Sequence, residues 1–508
     1  MRRSRSSNFT RGLATGYFLL GINILYTALS VPLGLKYLGR EQFGVWALAQ
    51  QIAGYFLLLD LGMSAAVSRL IADKKAESSG ADYRSLFFTG ALVLVFQATA
   101  IVVLGWGFAV WAPALFSVPD SLAGSFTHTL WILAGMSGLS LAQRIFGLPL
   151  WAFQRMDVVN FSTAASLILA LATIWIGLMA GWGIYSLAAA GLPGILTTAW
   201  ISFTVCKRNR YYPAARDGLL FSWQHFNSCL GFGKDVFVVG LGTQLVNACQ
   251  VMVVSRCLGL EAAATYSVAT KFFYLAQQLC SKIVQSSVSG LTEIFVQGLR
   301  PLFLKRILDL FSVVGVCAAW AACALILING QMVRAWTSGK IDFPLWGDGL
   351  LGFLLIPAAL SVVAIEAFIA MGFLSSIRYL RLLEGLLILF ISLPASTHFG
   401  LNGVLGVSLT VGFFSLIISL SKLERSLPGI TRPVQWMVGK ILALLLALFI
   451  FQVFLMPWVE VGPAQHVVCV LLLGLCGLYL VFFVIPPALR QELLRFPKRF
   501  LAPQSLRS

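Results

Sequence analysis

One helical face of this chain carries a run of polar side chains that could bind a charged ligand. Ser267, Lys271, Tyr274, Gln278, Ser281, Lys282, Gln285 and Ser289 recur mostly at spacings of three and four in an otherwise apolar stretch. That spacing aligns side chains along one side of an α-helix. An ammonium at one level, with amides, hydroxyls and a phenol below it, can hold an anion and hydrogen-bond neutral polar groups. The pattern fits the wall of a water-filled cavity in a membrane bundle; the alternative is hydrogen bonding between packed helices.

Two further sets answer this face. Asn23, Thr27 and Ser30 share one side of an earlier helix, and 220 positions on Thr243, Asn247 and Gln250 share another. Gln51 is the counterpart of Lys271 at the same offset. Arg144, with Ser137 and Ser140 seven and four residues before it, adds a second cation, either to the cavity or as an anchor at the inner surface. A charge at mid-bilayer costs about 2.5–3.5 kcal/mol on insertion scales, so Lys271 and Arg144 are expected to face a cavity or a partner. Neither has an acid nearby in sequence, which points to a cavity of positive potential suited to a phosphate. Lysine would bind it as a point charge and arginine as a fork. Asp60 and Glu366 are acids inside apolar segments with no adjacent base; either is a candidate to bind a proton or Na⁺, the alternative for each being a structural hydrogen bond or ion pair.

The composition dictates where such residues must sit. Apolar residues make up 59% of the chain and charged residues 11%, against roughly half and a quarter in soluble domains. Mean hydropathy is +0.88. Apolar runs of about 20 residues, the length that crosses a bilayer as a helix, recur fourteen times. They centre near residues 24, 54, 99, 138, 170, 194, 243, 275, 317, 360, 388, 411, 447 and 475. The expected fold is an all-α polytopic membrane protein of about 14 transmembrane helices. With the N-terminus inside, 25 of the 36 Lys and Arg fall in inner loops and tails and 5 in outer loops. This bias places both termini in the cytoplasm. It also accounts for the net charge of +17 without any nucleic acid.

A repeat organises the spans. Leu38-Gly39-Arg40-Glu41 with Trp46 corresponds to Leu258-Gly259-Leu260-Glu261 with Tyr266. The expected units are an N-lobe of six helices over 1–206, a cytoplasmic amphipathic linker over 207–229 and a C-lobe of six helices over 230–421. Helices thirteen and fourteen with a basic tail follow over 422–508. Even numbers of spans per lobe make the repeats parallel, with substrate expected between them. In the linker, Leu219, Leu220, Trp223, Phe226 and Leu230 share one face, as an interfacial helix or a surface connector would. Pro32, Pro149, Pro193, Pro357 and Pro394 interrupt spans, and Pro32 with Gly34 is the candidate hinge.

Enzyme chemistry finds little support. The nine cysteines lie mostly in apolar segments without metal-ligand spacing, no phosphate-cradling Gly-x-x-x-x-Gly-Lys-Ser/Thr occurs, and no cofactor is implied. The longest outer loop, Gln331 to Asp348, is too short for the catalytic domain of a membrane glycan polymerase or ligase.

The segment Lys36-Tyr37-Leu38-Gly39-Arg40-Glu41-Gln42-Phe43-Gly44-Val45-Trp46 resembles the first-loop signature of Wzx-type polysaccharide flippases of the multidrug/oligosaccharidyl-lipid/polysaccharide (MOP) exporter superfamily. The similarity extends through Leu59-Asp60-Leu61-Gly62, Arg69, Gln154-Arg155-Met156-Asp157 and Asn160, and to Leu258-Gly259-Leu260-Glu261 with Tyr266-Ser267. The second copy has Ala264 where a glycine is usual. The resemblance implies two six-helix lobes forming a V plus two extra helices, in the bacterial inner membrane. It implies transfer of an undecaprenyl-diphosphate-linked oligosaccharide to the periplasmic leaflet, alongside membrane lipid and other polysaccharide assembly proteins. A cation-coupled multidrug exporter of the same superfamily is the alternative; such proteins have fewer spans and often an acid in the first.

Overall fold

The computed structural model describes residues 2–74, 80–153, 155–213, 221–373, 377–454, 463–487 and 489–490, which form helices and short connections and no strand. In chain order the helices are α1 (Arg2–Phe56), α2 (Met63–Lys74), α3 (Ala81–Leu115), α4 (Asp120–Ala152), α5 (Met156–Met179), α6 (Ile184–Ala189), α7 (Gly191–Arg208) and α8 (Trp223–Leu258). They continue as α9 (Leu260–Ala269), α10 (Lys271–Val296), α11 (Arg300–Trp336), α12 (Leu345–Ala370), α13 (Arg378–Ser426), α14 (Thr431–Phe454) and α15 (Pro463–Tyr479). A 3-10 turn at Leu57–Asp60 follows α1, and a π-helix at Leu480–Val484 follows α15.

Among the described residues ten helices are long and apolar enough to cross a membrane. Two of these, Thr15–Asp60 and Arg378–Ser426, run through a backbone break, at Gly39 and at Gly400. The more polar α4 and α10, of 33 and 26 residues, have the length to cross as well. All fourteen expected span centres fall in helices. Large apolar side chains such as Phe96, Trp111, Trp175, Trp200, Trp436 and Val470 stand more than half exposed, as suits a surface solvated by lipid.

The repeat is written into the backbone. Gly39 has φ 76° and ψ −179°, and Gly259 has φ 90° and ψ 175°. Gly183 at φ 56°, ψ −133° is matched by Gly400 at φ 60°, ψ −142°. These left-handed conformations are accessible essentially to glycine alone. Ser117 and Ser338, one residue past the C-caps of α3 and α11, share a φ of 52°. Those helices end alike: Val118 N–H donates to Pro113 and Gly339 N–H to Arg334, each at 2.8–2.9 Å. The expected hinge at Pro32 is corrected, because α1 passes Pro32 in helical conformation and breaks at Gly39. Pro193 stands in the first turn of α7, where its missing N–H costs nothing.

Two compact units are present. Unit 1 comprises residues 1–268 and 381–397. Its core gathers Leu48, Val67, Tyr83, Leu94, Phe126 and Leu130 from α1 to α4. By packing, α8 and α9 belong here, although the repeat starts its second copy with them. The physical reason is backbone contact: a Cβ on Gly44 would collide with the Leu260 carbonyl, and one on Gly62 would lie 2.6 Å from the Gly233 carbonyl oxygen. From Trp223 the amphipathic segment runs unbroken into α8, with Ser222 Oγ accepting from His225 N–H at 3.3 Å. Trp223 is exposed and Phe226 half-buried, while Leu219 and Leu220 lie outside the described residues. Unit 2 comprises residues 269–380 and 398–508. It is organised on α11, which packs against α10, α12 and α14 and buries Phe303, Ile307, Phe311, Ala318 and Ala322.

Candidate functional site

Within unit 1 the second span is interrupted where Asp60 stands. The 3-10 turn ends on it, and Leu61 (φ 51°) and Gly62 (φ 72°) reverse the backbone before α2 begins. Asp60 Oδ1 accepts from Ser64 N–H at 3.0 Å and Ser64 Oγ–H at 2.8 Å, so the carboxylate caps the α2 N-terminus. Gln97 of α3 donates to the Asp60 carbonyl at 3.0 Å. Arg144 of α4 donates to Asp60 Oδ2 at 3.4 Å. Two residues expected to act separately, a cavity cation and an ion-coupling acid, thus form one ion pair that ties three elements together. Arg144 has no acid near it in sequence, and its partner comes from 84 positions away.

The polar faces of α1 and α8 lie on helices that pack together in this unit. Asn23, Gln51 and Asn247 are half-buried. Gln250 is buried, its Nε2 donating to the Val246 carbonyl and its Oε1 having no partner among the described residues. Tyr55 O–H reaches the Gln244 carbonyl at 3.5 Å.

In unit 2, α10 divides cleanly into two sides. Phe273, Ala276, Cys280, Val284 and Leu291 are buried. On the opposite side Lys271, Tyr274 and Ser281 are half-buried, and Gln278, Lys282 and Gln285 are exposed. Ser289 lies on the same helix, but its side chain is outside the described set. Lys271 opens α10 directly after Thr270 and makes no hydrogen bond or ion pair with a described residue. Glu366 on α12 is half-buried in the same condition, and α12 packs along α10.

The signature residues serve the frame. Leu38 is buried and Trp46 packs against the unit 1 core, Glu41 and Arg69 are exposed, and Gly39, Gly44 and Gly62 supply the break and close approaches described above. Arg155 pairs with Asp157 at 3.0 Å, and Asn160 donates to Thr15 Oγ1 at 3.2 Å.

Sequence reasoning missed three groups. Arg381, one of the 25 basic residues counted to inner loops and tails, lies inside α13 with 8% exposure and pairs with Glu384, 4% exposed, at 2.6 Å. Their i,i+3 spacing was the available signal. Asp348, assigned to an outer loop, is buried in the first turn of α12 and accepts from Asn329 Nδ2 at 2.6 Å and Gly330 N–H at 3.1 Å. Gln97 gave no periodic signal at all.

Known proteins agree with this architecture. The lipid II flippase MurJ, in an inward closed conformation, superposes with a TM-score of 0.67 at 14% identity, covering 95% of this chain and 99% of its own. An inward-facing multidrug resistance MATE family transporter of the MOP superfamily gives 0.64 at 12% identity, with 79% and 94% covered. The Vibrio cholerae MATE transporter VcmN, in its bent form, gives 0.54 at 13%, with 84% and 98% covered. No curated protein matches the sequence. Residues 16–289, more than half of the chain, match the polysaccharide biosynthesis protein family. The chain belongs to that family and has the multi-pass fold of the MOP-superfamily transporters.

Proposed function

We propose that this transporter is a flippase. It moves a lipid-diphosphate-linked oligosaccharide from the cytoplasmic to the periplasmic leaflet of the bacterial inner membrane, for surface polysaccharides such as O-antigen or exopolysaccharide, with both termini in the cytoplasm. The observation that carries the reading is α10. It presents a lysine unengaged by any described residue at the head of a face of amides and hydroxyls. A diphosphate needs a cation, and a glycan needs neutral hydrogen-bonding groups; α10 offers them in that order. Gln278 and Gln285 meet the sugars. Family membership supports a polysaccharide role. In this reading the repeat lobes, 1–206 and 230–421, alternate access to the ligand, and Glu366 carries the coupling proton or Na⁺.

The multidrug exporter is the second reading, favoured by the MATE-like fold. Their generally cationic ligands suit Lys271 poorly. The test is complementation of a flippase-deficient strain by Lys271→Arg, Lys271→Ala and Lys271→Glu, with membrane abundance measured in parallel. Charge retention preserves export and reversal abolishes it. Normal export by an abundant Lys271→Glu protein refutes a cationic site at this residue.

A further inference from the structure

Outside the proposed transport residues, unit 2 holds a cavity of about 710 Å³ between the start of α11, the start of α14 and the π-helix. One wall is apolar, built from Leu304, Leu308, Phe311, Met437 and Ile485. Lys305 and Lys440 stand on its lining with Trp436. Lys440 is held in place twice: its Nζ donates to the Phe483 carbonyl at 2.6 Å and lies 3.4 Å from the centre of the Trp436 ring. Phe483 stands in the last turn of the π-helix, and Pro486 and Pro487, three and four residues on, have no N–H to offer its carbonyl, which is left to a side chain. An ammonium has three N–H donors, and one is used here, so Lys440 keeps donors for a ligand. Asp309, also on the lining, is engaged by Arg306 at 3.4 Å. Trp436, Phe482 and Phe483 are each more than half exposed, on a chain whose outward apolar side chains face lipid.

We infer that this cavity binds the headgroup of an anionic glycerophospholipid, Lys305 and Lys440 holding its phosphate and the apolar wall receiving the first acyl carbons. The complementarity is of both charge and polarity. Free phosphate would leave the apolar wall wet, and a zwitterionic lipid would place its own cation against two ammonium groups. Since α14 and the π-helix lie beyond both copies of the repeat, the site is independent of the transport reading.

Native mass spectrometry of the full-length detergent-solubilised protein, titrated with phosphatidylglycerol, phosphatidylcholine or inorganic phosphate, tests this. The first phosphatidylglycerol should bind at least fivefold more tightly than phosphatidylcholine. Lys305→Gln with Lys440→Gln should reduce that preference to below twofold, while Lys440→Arg retains it. Lys207→Gln with Arg208→Gln, basic residues at the end of α7, should leave it unchanged. Lys305→Gln alone spares the Lys440–Phe483 bond and should still lower the preference by twofold or more, separating ligand loss from local unfolding. Equal binding of the two lipids overturns the proposal. So does binding of phosphate alone at the same concentration, an unaltered preference in both lysine variants, or an equal loss in the α7 control.

Discussion

The two compact units, each drawing on parts of the repeat, differ in how some of their charges are used. In unit 1 the intramembrane ions that structure describes are engaged with one another: Asp60 with Arg144, and Arg381 with Glu384. In unit 2, Lys271 and Glu366 are half-buried and engage no described residue. The difference teaches how to sort ionisable groups in a membrane bundle. An engaged pair locks helices together, and removing one member is a question of stability. A group without a partner is carried at a cost, and that cost is recovered when a ligand or ion supplies the missing charge.

The sharpest way to break this contrast is at Arg381. Replacing it by Ala leaves the Glu384 carboxylate buried without its cation, a change worth about 3–5 kcal/mol. Thermal unfolding in detergent should show a large loss, and much of it should return in the double change Arg381→Met, Glu384→Leu. A single variant as stable as the parent would mean that the pair holds nothing together.

The glycine breaks test the equivalence of the copies themselves. Gly39→Ala and Gly259→Ala each force a side chain into a backbone conformation that costs about 1–3 kcal/mol. Comparable losses at the two positions, read as unfolding temperature and membrane abundance, are expected. A loss at one position alone would show that the copies have diverged in mechanics.

The smallest effect on stability is expected at Glu366. Asp60→Asn weakens a helix cap and a partly exposed ion pair together, for about 1–2 kcal/mol. Glu366→Gln removes no described contact and sheds a half-buried charge, so it should leave the protein as stable as the parent or slightly more so. It should instead change the response of transport to a proton or Na⁺ gradient in proteoliposomes. If Glu366→Gln transports with unchanged gradient dependence, the coupling role fails at that residue.

Much of the frame was legible because apolar length and the Leu-Gly-x-Glu repeat are local signals. The offset of 220 joined Gly39 to Gly259 as equivalent positions, but nothing local announced that the backbone breaks at both, or that it does so there rather than at Pro32. What escaped is pairwise. The attraction between Asp60 and Arg144 spans 84 positions, and no periodicity reports it. Arg381 read as a loop residue because basic residues mark inner loops, yet a buried glutamate one turn away draws it into the helix. The stripe on α10 was the opposite case, since its two faces are visible in one helix without any partner.

Counting between the matched positions shows how the copies came to differ in length. From Gly39 to Ser117 is one residue shorter than from Gly259 to Ser338, whereas from Ser117 to Gly183 is four residues longer than from Ser338 to Gly400. One added residue rotates everything beyond it by about 100° if it falls within a helix, so the single insertion must be absorbed at a turn or a break. Four residues rotate by about 400°, a full revolution plus some 40°, and can be lost from a helix while its faces keep nearly their former aim. Length has therefore changed between the copies in the increments that angular bookkeeping permits, and a residue in one can be set against its counterpart in the other, rung by rung.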